Sequence, residues 1–464
     1  MIHKVIKKRC ERSACVLAVL VLTMGVCRAK RPPSAYVPPE GLVYGAAFID
    51  RFLPVPVHGE LRSDVWGATN VIPRAVENGI EDAEYSYWGG NIIVGDDGKN
   101  HLFVCRWPED NVKGGGKASG HHTWWSSVVV HAVSDNPLGP YKVIDEVGPG
   151  HNPEIYRLAD GSYKIGVMRK SYHGPTLNGP WTLLDTTLHI KKPGSYINES
   201  NKTFVPREDG SVLMMNKNGV VFISEKGDEN FVQVTGGVYP KLPGEYLLED
   251  PVIWKDEVQY NLIVNDCWGR AAFYMRSKDG LKWKWAPGLA YTPDIMKHEG
   301  GTSEKWWKFE RPKVRQDQYG RATHMNFAVI DVYKDDDLAN DNHSSKNIVI
   351  PLEVPRRLQI LNTAPITAAT AEIKVKILAE EGFDPRRDVD RTSLSFGAPE
   401  AVNFGKGCAP ISTEVSGADL LVTFAGRGNG ISPDHYAAKL IGRKTDGSLL
   451  FGFATLPTAV VADE

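Results

Sequence analysis

Five short polar stretches of this chain each stand just before an apolar run. They are Gly89-Gly90-Asn91, His151-Asn152-Pro153, Glu199-Ser200-Asn201, Glu249-Asp250-Pro251 and Glu310-Arg311-Pro312. Three of the five carry carboxylates. Proton transfer to a leaving oxygen and activation of water need one carboxylic acid and one carboxylate within reach of each other, so Glu199, Glu249, Asp250 and Glu310 are the candidate catalytic residues. The plain alternative for any one of them is a turn cap bonded to nearby backbone N–H groups. Four converging carboxylates do more than cap turns, because they repel and raise one another's pKa. Arg311 either neutralises one of them or binds substrate through its planar fork. His151 and Asn152 are candidate substrate contacts. Asp82 and Glu84, beside the aromatic run Tyr85, Tyr87 and Trp88, complete the candidate set. Trp88 is also a candidate stacking platform, although a tryptophan of this kind equally serves packing.

The elements that must position these residues are strands. Runs rich in Val, Ile, Tyr, Phe and Trp are bounded by Gly, Pro, Asn and Asp, and Asp-Gly turns recur at Asp97-Gly98, Asp160-Gly161, Asp209-Gly210 and Asp279-Gly280. Each polar stretch opens a unit of strand, turn and second strand, with a period of roughly 50 to 60 residues that suits propeller blades. Five such units predict an all-β, five-bladed β-propeller over residues 45–355, with four strands per blade. Asn347 to Leu352 reads as a last apolar strand that closes the ring on the first blade. After a boundary near Pro355, residues 365–464 alternate short strands and turns, and predict a small β-sandwich.

Two resemblances follow from particular motifs. Residues 45–355 resemble the five-bladed propeller glycoside hydrolases of family 43 and their relatives. The likeness rests on the five polar-stretch units, on Ser277-Lys278-Asp279-Gly280-Leu281-Lys282-Trp283, and on Ser134-Asp135-Asn136-Pro137-Leu138-Gly139-Pro140-Tyr141 with its echo Leu177-Asn178-Gly179-Pro180-Trp181. Residues 370–457 resemble a bacterial Ig-like domain, on Phe383-Asp384-Pro385, Val389 to Gly397 and Asp419 to Phe424. The first resemblance implies Asp250 as transition-state stabiliser or pKa modulator and Glu310 as general acid, with Glu249 as its rival. The family's first blade offers an Asp base where this chain has Gly90. Asp82, Glu84 or Glu199 is the replacement to look for.

The expected activity is therefore exo-acting hydrolysis of plant or algal oligosaccharides and polysaccharides. A non-catalytic glycan-binding propeller and a propeller glycoside phosphorylase are the alternatives. The family also leaves room for a central calcium ion; no other cofactor is expected. His121, His122, His324 and His343 have no metal-ligand spacing. A formal net charge of −2 gives no reason to expect nucleic acid as a partner. No GxSxG, P-loop or HExxH pattern is present.

The chain starts with Lys4, Lys7, Lys8, Arg9 and Arg12, then an apolar run from Ala14 to Val26, then Cys27-Arg28-Ala29. This order reads as a signal peptide over residues 1–29 and predicts a periplasmic or secreted product without a membrane span after processing. The remaining cysteines, Cys105, Cys267 and Cys408, are odd in number and widely spaced, so they read as buried small hydrophobes and not as a disulfide framework.

Overall fold

The computed structural model describes residues 36–458 apart from 58, 60, 62–70, 110–119, 193–196, 243, 245 and 340. The predicted signal peptide lies outside the described residues. Five antiparallel sheets follow one another along the chain. Blade one is β1 (Tyr85–Val94), β2 (Asn100–Pro108), β3 (Val128–Ser134) and β4 (Lys142–Pro149). Blade two is β5 (Glu154–Arg157), β6 (Tyr163–Gly166), β7 (Lys170–Gly174) and β8 (Thr182–Asp185). The short β9 (Thr187–His189) crosses over and pairs in parallel with the outer strand of blade three. That blade is β10 (Thr203–Pro206), β11 (Val212–Met215), β12 (Val220–Ser224) and β13 (Asn230–Gly237). Blade four is β14 (Leu248–Lys255), β15 (Tyr260–Asp266), β16 (Ala272–Ser277) and β17 (Lys284–Trp285), and blade five is β18 (Lys308–Gln316), β19 (Ala322–Ile330) and β20 (Ser345–Pro351).

The inner strands β1, β5, β10, β14 and β18 each contact the next, and β18 returns to β1, so the ring is closed. Alternation along each strand sends apolar side chains to both faces, where neighbouring blades bury them. Phe103, Ile155 and Ile165 pack between blades one and two, and Leu213, Leu262 and Phe273 between blades three and four.

Blade five has three strands where four were expected. The missing edge is covered from the N-terminal side: the Ile80 N–H donates to the Asn347 carbonyl at 2.9 Å, and Phe52 bridges Leu352. The apolar strand at Asn347 to Leu352 thus belongs to blade five as β20, and does not join blade one. Closure onto blade one is made by side chains, with Asn326 and Asn347 each donating to a carbonyl of the Gly89-Gly90 pair at 2.7 Å.

The C-terminal strands are β21 (Arg356–Ile360), β22 (Glu372–Ile377), β23 (Val389–Gly397), β24 (Pro410–Ser416), β25 (Asp419–Ala425), β26 (Ala437–Lys444) and β27 (Leu449–Thr455). They form one sheet in the order β23-β26-β27-β21-β22-β25-β24. Strand β21 turns the corner. Arg356 and Arg357 pair with β27, while Leu358 to Ile360 pair with β22. The two halves face each other over Ile373, Val375, Phe396, Leu420, Phe424 and Leu440, and the Phe396–Cys408 bridge nearly closes the sheet. The unit is a sandwich or barrel; the specific Ig-like pattern is not confirmed. Cys105, Cys267 and Cys408 are buried.

Candidate functional site

The central residue at the start of every inner strand has a left-handed backbone: Gly90 (φ 86°), Asn152 (54°), Asn201 (54°), Asp250 (54°) and Arg311 (51°). Only glycine adopts this region freely. Asn and Asp tolerate it, and an arginine there is held by its surroundings. The conformation accompanies a bulge in β1, β14 and β18, at Trp88/Asn91, Glu249/Val252 and Glu310/Lys313. A bulge re-aims side chains and interrupts the ladder, so Pro251 and Pro312 cost no strand hydrogen bond, and Pro153 stands before β5 begins. The result is a pit on the propeller axis, lined by Gly89, Gly90, Asn152, Asn201, Lys202, Asp250, Arg311 and Lys313. In blade three the unit is Ser200-Asn201-Lys202. Glu199 falls one residue outside it, one-third exposed, 3.9 Å from Arg169 and off the lining of the pit.

A chain of polar contacts crosses the pit. The Asn152 amide donates to Asn201 at 3.3 Å, the Asn201 amide donates to Glu249 Oε1 at 3.0 Å, and Lys217 donates to Glu249 Oε2 at 2.6 Å. Asp250 is buried and ion-paired with the Arg311 guanidinium. Its Oδ2 also accepts the Arg311 backbone N–H at 3.2 Å, which holds Arg311 in its unusual conformation. Burial pushes the Asp250 carboxyl up against the pull of Arg311, and the charges of Glu249 and Glu310 add to the rise.

Glu310 is also buried, with Lys308 on one oxygen and Lys334 on the other, the latter at 2.5 Å. Burial opposes its charge, but the two ammonium groups and Arg311 outweigh burial and hold the carboxyl far below the usual range. A general acid must carry a proton at working pH. These partners hold Glu310 as a carboxylate, whereas the resemblance implied a general acid for it.

The other expected residues have different positions. Asp82 caps its own turn, accepting the N–H groups of Glu84 and Tyr85 at 2.9 Å and the Tyr87 hydroxyl. Glu84 is exposed. Neither lines the pit; Glu249 does not line it either, but it is hydrogen-bonded to Asn201, which does. Gly90 itself has no room for one: a Cβ there would fall on the Phe103 carbonyl. Trp88 is no sugar platform either. It is 1% exposed, packed edge-on to His121 and covered by the Lys334 ammonium at 4.4 Å. Among the described residues, Trp125 and Trp307 are the tryptophans with half-open surfaces, at 49% and 40%. His151 contacts the Ser127 hydroxyl at 3.0 Å and packs 4.6 Å from the Trp124 ring. Burial, then Arg311, keeps its imidazole neutral.

The axis does not suit a calcium ion, which asks for six to eight oxygen ligands. Lys202 and Lys313 line the pit beside Arg311. The Lys202 ammonium is buried without a partner, and burial pulls it down to about 8. Lys313 is paired with Glu154. Cations therefore stand where calcium would need carboxylates.

The frame of lysines was the part hidden in the sequence. Lys308 had a signal, since two residues before Glu310 on a strand is the same face. Lys217, in the β11–β12 turn, and Lys334, between β19 and β20, are distant in sequence from the carboxylates they hold.

No protein-family model matches the chain, and no curated protein does. Among solved structures it is similar to a family 117 glycoside hydrolase of the marine bacterium Zobellia galactanivorans, at 12% identity over 59% of this chain and 85% of that one, TM-score 0.41. It is similar to the catalytic domain of a Coprinopsis cinerea GH62 α-L-arabinofuranosidase, at 12% identity over 66% and 98%, TM-score 0.42. A third is a GH43 enzyme of Xanthomonas citri in complex with xylotriose, at 10% identity over 67% and 93%, TM-score 0.37. These likenesses concern strand arrangement.

Proposed function

We propose that this protein is a glycoside hydrolase acting from a chain end on plant or algal oligosaccharides, with Glu249 as the carboxylate that meets the sugar. The observation that carries the reading is the convergence of Glu249, Asp250 and Glu310, from two successive inner strands, on one cationic frame. Glu249 is the most open of the three, at 13% side-chain exposure against 1% for Asp250 and 2% for Glu310. It serves as base or nucleophile. Asp250 and Arg311 position it, and its own negative charge meets a cationic, oxocarbenium-like transition state.

One observation favours a second reading, a non-catalytic glycan-binding propeller. Each of the three carboxylates has a cationic partner, and Asp250, whose carboxyl is pushed upward, is buried against Arg311. One experiment separates the two readings. A panel of neutral and sulfated oligosaccharides is screened for cleavage and for binding by calorimetry. Hydrolysis that falls by about 100-fold or more in Glu249→Gln, with binding kept, supports the hydrolase. Binding without cleavage on the whole panel replaces it with the lectin-like reading.

We further propose export to the periplasm or medium, on the charged start, apolar run and small-residue site of the N-terminus. N-terminal sequencing of the mature protein is expected to begin close to Ala29, and an intact Met1 in a cytosolic fraction overturns this.

A further inference from the structure

A second cluster of acids lies away from the axis. Glu109 follows β2 directly, and Asp337 and Asp341 stand on the connection between β19 and β20. Each offers a carboxylate oxygen, and these oxygens lie within 4.8 Å of one another. Glu109 and Asp337 are 2% and 0% exposed. Both oxygens of Asp337 and Oε1 of Glu109 are buried without a hydrogen-bond partner. The remaining oxygens are oriented by the protein. Ser86 donates its hydroxyl to Glu109 Oε2, and Asp341 accepts the backbone N–H groups of Leu338 at 2.8 Å and His343 at 2.7 Å. Among the described residues, no lysine or arginine forms an ion pair with any of the three.

Burying uncompensated carboxylates is among the most costly arrangements a fold can hold, and it persists where a cation or a shared proton offsets it. Three converging hard oxygens with open lone pairs are the donor set of a hard divalent ion, not of zinc or copper. We propose that Glu109, Asp337 and Asp341 bind a hard divalent cation, calcium foremost, that ties the β19–β20 connection to blade one. The connection also carries Lys334, which holds Glu310 and covers Trp88. The ion thereby fixes one of the two ammonium groups that set the charge of the axial site. It is distinct from any ion on the propeller axis, where the lining is cationic.

The competing state is a proton shared between the acids. Burial and the neighbouring charges push Asp337 up to about 9 and Glu109 up to about 7, so the metal-free cluster takes up protons near neutrality.

The test uses the full chain stripped with a chelator and then titrated with calcium chloride or magnesium chloride, read by calorimetry and by Tm at constant pH. Calcium is expected to bind at one site per chain and to raise Tm by about 3 °C at saturation. Asp337→Asn and Glu109→Gln are each expected to abolish that rise, and to raise the metal-free Tm by relieving repulsion. The calcium response of Asp335→Asn, an exposed acid on the same connection, is expected to match the wild type. A stripped wild type whose Tm ignores both cations, and falls from about pH 5 to about pH 9 as the cluster loses protons, overturns the proposal in favour of the shared proton. A cation response that survives both Asp337→Asn and Glu109→Gln overturns it as well.

Discussion

Glu310 shows how far residue type underdetermines role. A glutamate at the mouth of an inner strand is a candidate acid until its neighbours are known, and here the neighbours are two lysines. Its folded pKa is depressed, so its contribution to stability is present above the unfolded value of about 4.3 and is lost as pH falls below it. Glu310→Gln leaves Lys308 and Lys334 buried without their counter-charge, which costs about 3 to 5 kcal/mol at neutral pH. Denaturant unfolding of the two proteins is expected to show that difference at about pH 7 and a smaller one at about pH 3, where the unfolded glutamate is protonated while the folded one keeps its pair. An equal difference at both values means that the carboxylate is not the charge holding the lysines. The sequence placed Glu249, Asp250 and Glu310 at strand starts correctly, because turn and strand signals are local. Their protonation was not legible, because Lys217 and Lys334 come from other turns.

At the scale of the element, the unit that matters is the left-handed residue opening each inner strand. Gly90 has the least freedom of the five. Its Cβ would meet the Phe103 carbonyl and crowd Val104 Cα, and its φ of 86° lies where side chains are strained. Gly90→Ala is expected to destabilise the protein by about 2 kcal/mol or more, adding backbone strain to overpacking against β2. Thermal or denaturant unfolding checks it, and a loss under about 0.5 kcal/mol, the range of an ordinary surface change, rejects the steric argument. The polar stretches were visible in sequence as a repeat, but the blade-three register was set one residue early. Glu199-Ser200-Asn201 looks like its counterparts because it begins with a glutamate, whereas the backbone aligns Asn201 with Asp250.

At the scale of the molecule, the two β units share a core. Val258 of blade four and Val43 of the N-terminal segment pack on Ile441, Leu449, Phe451 and Phe453 of the C-terminal sheet. Arg51 lies buried between them, 4.3 Å from the Phe451 ring and 5.0 Å from the Tyr274 ring. Ion pairs Arg321–Glu380 and Arg357–Glu257 extend the contact. Units joined by a buried apolar cluster unfold together, so scanning calorimetry of the full chain is expected to give one transition. Phe451→Ala is expected to cost about 3 to 5 kcal/mol and to lower that single Tm. Two separate transitions in the wild type, only one of them shifted by the substitution, show that the units are independent.

The sequence by itself determined the strand content, the five-fold repeat, the second β unit and the carboxylates at the inner strand starts. Each is written in spacing and turn chemistry within a few residues. The tertiary structure alone decided that the N-terminal segment covers the edge of blade five, that Trp88 is buried, and that lysines from separate turns fix the charge of the axial site. Ring closure brings together residues more than a hundred positions apart, as Lys313 meets Glu154, and no local pattern records which cation will face which carboxylate.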